Sequence, residues 1–132
     1  MVMRVYTPLC EADEAIVTEA IGCAVTVHRT LGPGFKECIY RRALLLELDS
    51  RSLQFESEKD ILVKYKKWEI PGQRVDLIVC GVVLLELKAV PKVKALHRAQ
   101  VLSYLRTTGL RVGLILNFNV RLMKHGVQRL VL

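Results

Sequence analysis

The sequence predicts an α/β or α+β fold in which one mixed β-sheet is flanked by helices. Three observations carry this expectation. Apolar residues recur at helical spacing over 11–31 and 35–50, and the pattern then switches to the alternation of strands from residue 53 onward. A third amphipathic stretch, 94–108, lies between two apolar strand segments, as in a crossover that joins parallel strands. The 132 residues are 52% hydrophobic and 25% charged, which suits one globular domain, 1–132, with one core; no repeat, low-complexity segment or linker divides it.

In the first helix Ile16, Ala20, Ala24 and Val27 share a face, acidic residues load the first turns, and His28 and Arg29 lie near the end, as the macrodipole favours. Gly32-Pro33-Gly34 stops it. The second helix, 35–50, is rich in Ala, Leu, Glu and Arg, all good helix formers. LQFESE and ILVKYK then alternate apolar and polar residues, as half-buried strands do. WEIPGQRVDLIV is expected to break at Pro-Gly and continue as a strand; Cys80-Gly81 turns it into VVLLELKAV, making a hairpin. Pro91 ends the strand region, Gly109 caps the third helix, RVGLILNF is a further strand, and GVQRLVL is a final one.

Composition narrows the function. No apolar run approaches the ~20 residues of a membrane helix, and the N-terminal MVMRVYTPLCEADE has no apolar leader core, so the expected location is the cytoplasm, with no membrane partner. Cys10, Cys23, Cys38 and Cys80 form no CxxC and have no His at zinc spacing. Cys23, Cys38 and Cys80 sit in apolar sequence and are expected to be small buried hydrophobes. Twenty basic residues against 13 acidic ones give a net charge of +7, which suits a polyanionic partner.

The residues that need a reason are charges inside strands. Asp76 opens the run DLIVCGVVLL, and Glu86 and Lys88 interrupt its far end. Glu86 and Lys88 are two apart, so they point to one face while Leu85 and Leu87 point to the other. A hairpin turning at 80–81 brings Asp76 beside Glu86. Two adjacent carboxylates raise each other's pKa. A divalent cation removes that penalty, and Mg²⁺ commonly takes one or two carboxylates together with waters and substrate phosphate. A neighbouring lysine positions or activates a water and offsets charge developing on phosphate. The pattern therefore predicts a metal-assisted phosphodiester-hydrolysis site; the bland alternative is a solvated strand face with a surface ion pair.

Further motifs accompany it. GPGFKECIY contains Gly34-x-x-Glu37-x-x-Tyr40, and HRAQVLSYL contains His97 and then Gln100-x-x-x-Tyr104. With RVDLIV, LLELKAV and LRVGLILNFN, in this order from about Ile16 to Leu132, the set resembles the GxxExxY family of the PD-(D/E)XK nuclease superfamily. The resemblance implies a restriction-endonuclease-like core and Mg²⁺-dependent hydrolysis, with Mn²⁺ as a substitute. It implies Asp76 and Glu86 as metal ligands, Lys88 as the catalytic lysine beside the attacking water, and Glu37 as a further acidic residue aimed at the metal. Gln100 and Tyr104 match an element that supports the site or touches nucleic acid. Val75 departs from the pattern, which has Pro before the first acid; no ligand is lost.

The remaining candidates have two readings each. Glu37 is either a site residue or an exposed helix-start glutamate. Tyr40 is expected to be a packed ring whose hydroxyl finds a partner near the site. His97 is either a phosphate ligand or a surface residue. His28 resembles a family position where a metal ligand can stand, with a cap or core hydrogen bond as the expected role. Lys64 and Lys66, with Lys67, surround Tyr65 and Trp68, and Lys92, Lys94 and Arg98 follow the ELK strand; these cations suit phosphates, and the rings either stack on bases or pack on the sheet. Two functions follow: a nuclease acting on nucleic acid, with DNA the more expected substrate, or a catalytically silent nucleic-acid- or protein-binding module on the same fold. The small chain carries no visible recognition domain, so a homodimer or a partner protein is expected to supply specificity.

Overall fold

The chain runs α1 (Glu11–Leu31), α2 (Glu37–Ser50), β1 (Phe55–Tyr65), β2 (Trp68–Val79), β3 (Val83–Lys88), α3 (Ala95–Thr108), β4 (Val112–Asn117) and β5 (Val127–Val131), with a 3-10 turn at Met123–His125. The computed structural model describes residues 7–132; residues 1–6, at the start of the stretch read for a leader, lie outside them. Among the described residues no helix is long and apolar enough to cross a membrane.

The five strands form one sheet in chain order, β1-β2-β3-β4-β5. β3 and β4 are parallel, joined through α3, and the other neighbours are antiparallel. The fold is thus α+β with a mixed sheet and three α-helices, the restriction-endonuclease-like arrangement expected from the sequence.

The central strands are apolar on both sides because both sides are covered. Val83, Leu85 and Leu87, with Leu114 and Leu116, join Val17, Ala20, Ala24 and Val27 of α1 and Tyr40, Leu44 and Leu48 of α2. Leu84 and Ile115 face the other way, against Val101, Tyr104 and Leu105 of α3. Gly113 lets α3 approach β4 closely: a Cβ there would stand 2.8 Å from Val101 Cγ1.

Four local expectations need correction. LQFESE and ILVKYK are parts of a single strand, β1, and it is not half-buried: among its residues only Ile61 is buried, because β1 is the sheet edge and its far end runs past α3. Pro71-Gly72 does not break the following segment. The ladder passes from Ile61↔Gln73 to Val63↔Ile70, so these two residues bulge inside β2, where proline's missing donor and the φ of 113° at Gly72 are tolerated. In the stretch 94–108, expected to be amphipathic, the apolar Leu96 is 77% exposed rather than turned to the core, since it lies in the first turn of α3 ahead of the packed residues. Cys38 is exposed on α2, whereas Cys23 is buried and Cys80 half-buried; all four cysteines are free.

Candidate active site

The β2–β3 hairpin turns through Cys80-Gly81-Val82, with positive φ at Cys80 (52°) and Gly81 (66°). Its ladder pairs Val79↔Val83, Ile78↔Leu84 and Leu77↔Leu85, and there it stops. One step further the register sets Asp76 opposite Glu86, as the sequence predicted. Instead of continuing the backbone ladder, the Asp76 carboxylate enters the gap: Oδ2 accepts the Leu87 amide at 2.9 Å. The inside-outside alternation of β2 changes at this point. Leu77 packs on the α1–α2 side and Val75 on the α3 side, although residues two apart on a regular strand share a face. Across on β1, Glu58 stands between the pairs Ser57↔Leu77 and Lys59↔Val75 with a φ of 50°, a conformation of order 1–3 kcal/mol for a non-glycine residue.

Glu86 and Lys88 share a face of β3, and Lys88 Nζ donates to Glu86 Oε1 at 3.1 Å. Glu86 is 7% exposed, and burial, helped by the nearby Asp76 carboxylate, pushes its carboxyl up to about 7. Burial likewise raises Asp76, against the Leu87 N–H bond and the charges of Arg41 and Lys88, which hold it down. Glu37, in the first turn of α2, belongs to the same field: burial and then Asp76 raise it, while Lys88 and Arg41 lower it. Three carboxyls from three elements and one ammonium are therefore coupled, and each carboxyl resists ionising without a further cation.

On the α3 side, Tyr104 is buried, and its hydroxyl accepts from Gln73 Nε2 at 2.8 Å, with Gln100 in reach of the same oxygen. Burial, with the charges of Glu86 and Asp76, pushes this phenol up to about 12, so it remains protonated beside the carboxylates. His97 spends Nδ1 on the Lys94 amide at 3.0 Å, and its own amide donates back to the Lys94 carbonyl; it caps α3.

The supporting residues act through the frame. His28 is buried, and its Nε2 donates to the Val120 carbonyl at 2.7 Å, the core hydrogen bond expected of it. Tyr40 stacks on Phe118 with centroids 4.6 Å apart, donates to the Gly32 carbonyl at 2.6 Å and accepts the Phe35 amide at 3.1 Å. It fixes the Gly-Pro-Gly loop and hence the entry of α2, one turn from Glu37. Lys64 and Lys66 are not part of this cluster; both lie on the outer end of the β1–β2 hairpin.

Three residues escaped the sequence reading. Gln73 joins β2 to Tyr104, Arg41 bridges to Glu58 at 2.7 Å while facing Asp76 and Glu37, and Asn117 exchanges amide hydrogen bonds with the Val90 backbone at 3.0 and 3.1 Å, securing the chain just past Lys88. Asn117 had a signal: it is the polar end of a strand otherwise wholly apolar from Val112, apart from Gly113. Gln73 had none, lying in a polar stretch, and Arg41 reads as an ordinary charged residue of an amphipathic helix.

Among the described residues no three His, Cys, Asp or Glu side chains gather closely enough to enclose a metal ion. Asp76 and Glu86 do supply a hard-oxygen pair of the kind Mg²⁺ accepts when waters and phosphate complete its shell. Fold and charge cluster together describe a nuclease-type scaffold, and comparison with protein families agrees: the model of the PD-(D/E)XK nuclease superfamily matches residues 14–130. The chain belongs to that superfamily. No match was found among curated proteins or among solved structures.

Proposed function

We propose that the chain is a metal-dependent nuclease of the GxxExxY type, one nuclease-like domain that hydrolyses phosphodiester bonds of nucleic acid, with DNA the first substrate to test. The observation that carries this is the Asp76 carboxylate held in the β2–β3 gap beside the buried Glu86–Lys88 pair. Asp76 and Glu86 would hold Mg²⁺ or Mn²⁺, with Glu37 facing the same charge. Such an ion supplies Lewis-acid polarisation of the phosphate and a more acidic water. Lys88 orients the attacking water and offsets charge as it builds on the phosphate. Gln100 and Tyr104 brace the α3 side, and Lys64, Lys66 and His97 contact the strand outside the reacting bond. A homodimer or a partner protein would add specificity.

The test is calorimetric titration of Mn²⁺ into the wild type and Asp76→Ala, with cleavage assays on DNA and RNA. Binding lost in the variant together with metal-dependent cleavage by the wild type supports the nuclease. A second reading, a silent binding module, is favoured by one observation: among the described residues no third metal-binding side chain closes on the Asp76–Glu86 pair. Nucleic-acid binding with no metal uptake and no product under any condition would establish it.

A further inference from the structure

The outer end of the β1–β2 hairpin lies away from the acidic cluster. Residues 62–72 are all exposed. Directly opposed residues of an antiparallel ladder share a face, and here the pairs Val63↔Ile70 and Tyr65↔Trp68 line up on one side. All four are exposed: Tyr65 is 56% and Trp68 54% exposed, with Ile70 and Val63 beside them. The two rings lie 6.5 Å apart and 21° from parallel, so they form one continuous π surface. Lys66 and Lys67 place their ammoniums 5.4 and 5.0 Å from the Tyr65 and Trp68 centroids. Lys64 opens a groove that continues to Arg106 on α3.

Rings and lysines together select the occupant. The cores of protein–protein interfaces are depleted in lysine, whereas flat rings edged by cations suit a polyanion whose bases offer π faces. Bases in a duplex have their faces covered by their neighbours; only an unpaired strand offers them to a ring. The same β2 leads from Trp68 inward to Gln73, bonded to Tyr104, and then to Asp76. At about 3.3 Å per residue Trp68 lies at most roughly 27 Å along the strand from Asp76. We infer that Tyr65 and Trp68, edged by Lys66 and Lys67, form a stacking platform for unpaired nucleotides, which feeds or anchors a single-stranded segment of the substrate. This rests on the nuclease reading for its purpose but not for its test.

Trp68 is the only tryptophan of the chain, so its emission reports the platform alone. The full chain, in chelator so that no strand is cut, is titrated with oligothymidylate and with a duplex of equal length. The expected result is saturable quenching by the single strand, weakening as salt rises, with several-fold poorer binding of the duplex. Tyr65→Ala should weaken single-strand binding roughly 5- to 150-fold. Trp68→Phe, followed by fluorescence anisotropy of a labelled strand, should lose less because a ring remains. Equal binding of duplex and single strand with no effect of Tyr65→Ala overturns the platform, as does a blue shift of Trp68 that depends only on protein concentration, which marks a second copy of the chain on this face. Metal-dependent cleavage with a silent Trp68 removes the platform and leaves the nuclease. Quenching sensitive to Tyr65, without cleavage in any metal, removes the nuclease and leaves the platform.

Discussion

Asp76 and Leu87 are joined across the β2–β3 gap by a side chain rather than by backbone, with Oδ2 2.9 Å from the Leu87 amide. Asp76 therefore has two duties, one as hydrogen-bond acceptor and one as charge, and substitution can separate them. Asp76→Asn keeps an acceptor oxygen and should stay near wild-type stability while losing Mn²⁺ affinity. Asp76→Ala strands a buried N–H and should cost about 1–3 kcal/mol in urea unfolding, in addition to the lost metal affinity. Equal stability of the two variants would show that the amide finds another acceptor.

On the nuclease reading proposed above, Lys88 serves the chemistry rather than the fold, pairing only with Glu86 among the described side chains. Lys88→Ala should lower cleavage by at least roughly 100-fold, the scale of one electrostatic contact to a transition state. Its circular dichroism should be unchanged and its Mn²⁺ affinity should not fall, because the cation that competes for Glu86 has gone. Cleavage within a few-fold of wild type would remove Lys88 from the reaction.

The acidic cluster predicts a pH dependence of stability in the absence of divalent cations. Glu86 titrates near 7 when folded and near 4.5 when unfolded, so between these values the folded state binds more protons. Stability conferred by this group is full below about 4.5 and is lost as pH rises through 7, with a ceiling of about 3 kcal/mol. Asp76 and Glu37 are raised in the same direction. Melting temperature should fall from pH 5 to pH 7.5 in chelator, Glu86→Gln should flatten the fall, and Mn²⁺ should reverse it in the wild type. A melting temperature that rises over this range would contradict the shift.

Tyr40 tests the frame. Tyr40→Phe keeps the stack on Phe118 but removes both hydroxyl contacts, to the Gly32 carbonyl and from the Phe35 amide. It should destabilise by about 1–3 kcal/mol and reduce cleavage only modestly, since Glu37 is displaced rather than removed. Loss of activity comparable to Lys88→Ala would mean that the hydroxyl reaches the reacting groups.

The central architecture was legible because burial on both faces leaves long apolar runs, and because Asp76, Glu86 and Lys88 are conspicuous against them. The pairing of Asp76 with Glu86 followed from the turn alone. The hairpin end was not legible: alternation in ILVKYK normally means one buried face, and a strand that overshoots its helix keeps the alternation with nothing to cover it. The bulge at Pro71-Gly72 hid for a similar reason, since a Pro-Gly pair also marks a chain reversal. The cap made by His97 depends on ring orientation, and the Gln73–Tyr104 bond joins residues 31 apart, which no local pattern records.

The two-residue connection at Lys66-Lys67 is an exposed dibasic bond at the tip of a long two-stranded ladder. Limited trypsin should nick the protein there before elsewhere, and nine paired positions would still hold the pieces together. One fragment would carry Glu37; the other would carry Asp76, Glu86 and Lys88. Once nicked there, the protein would be a split one, its acidic cluster complete only while the two fragments remain associated.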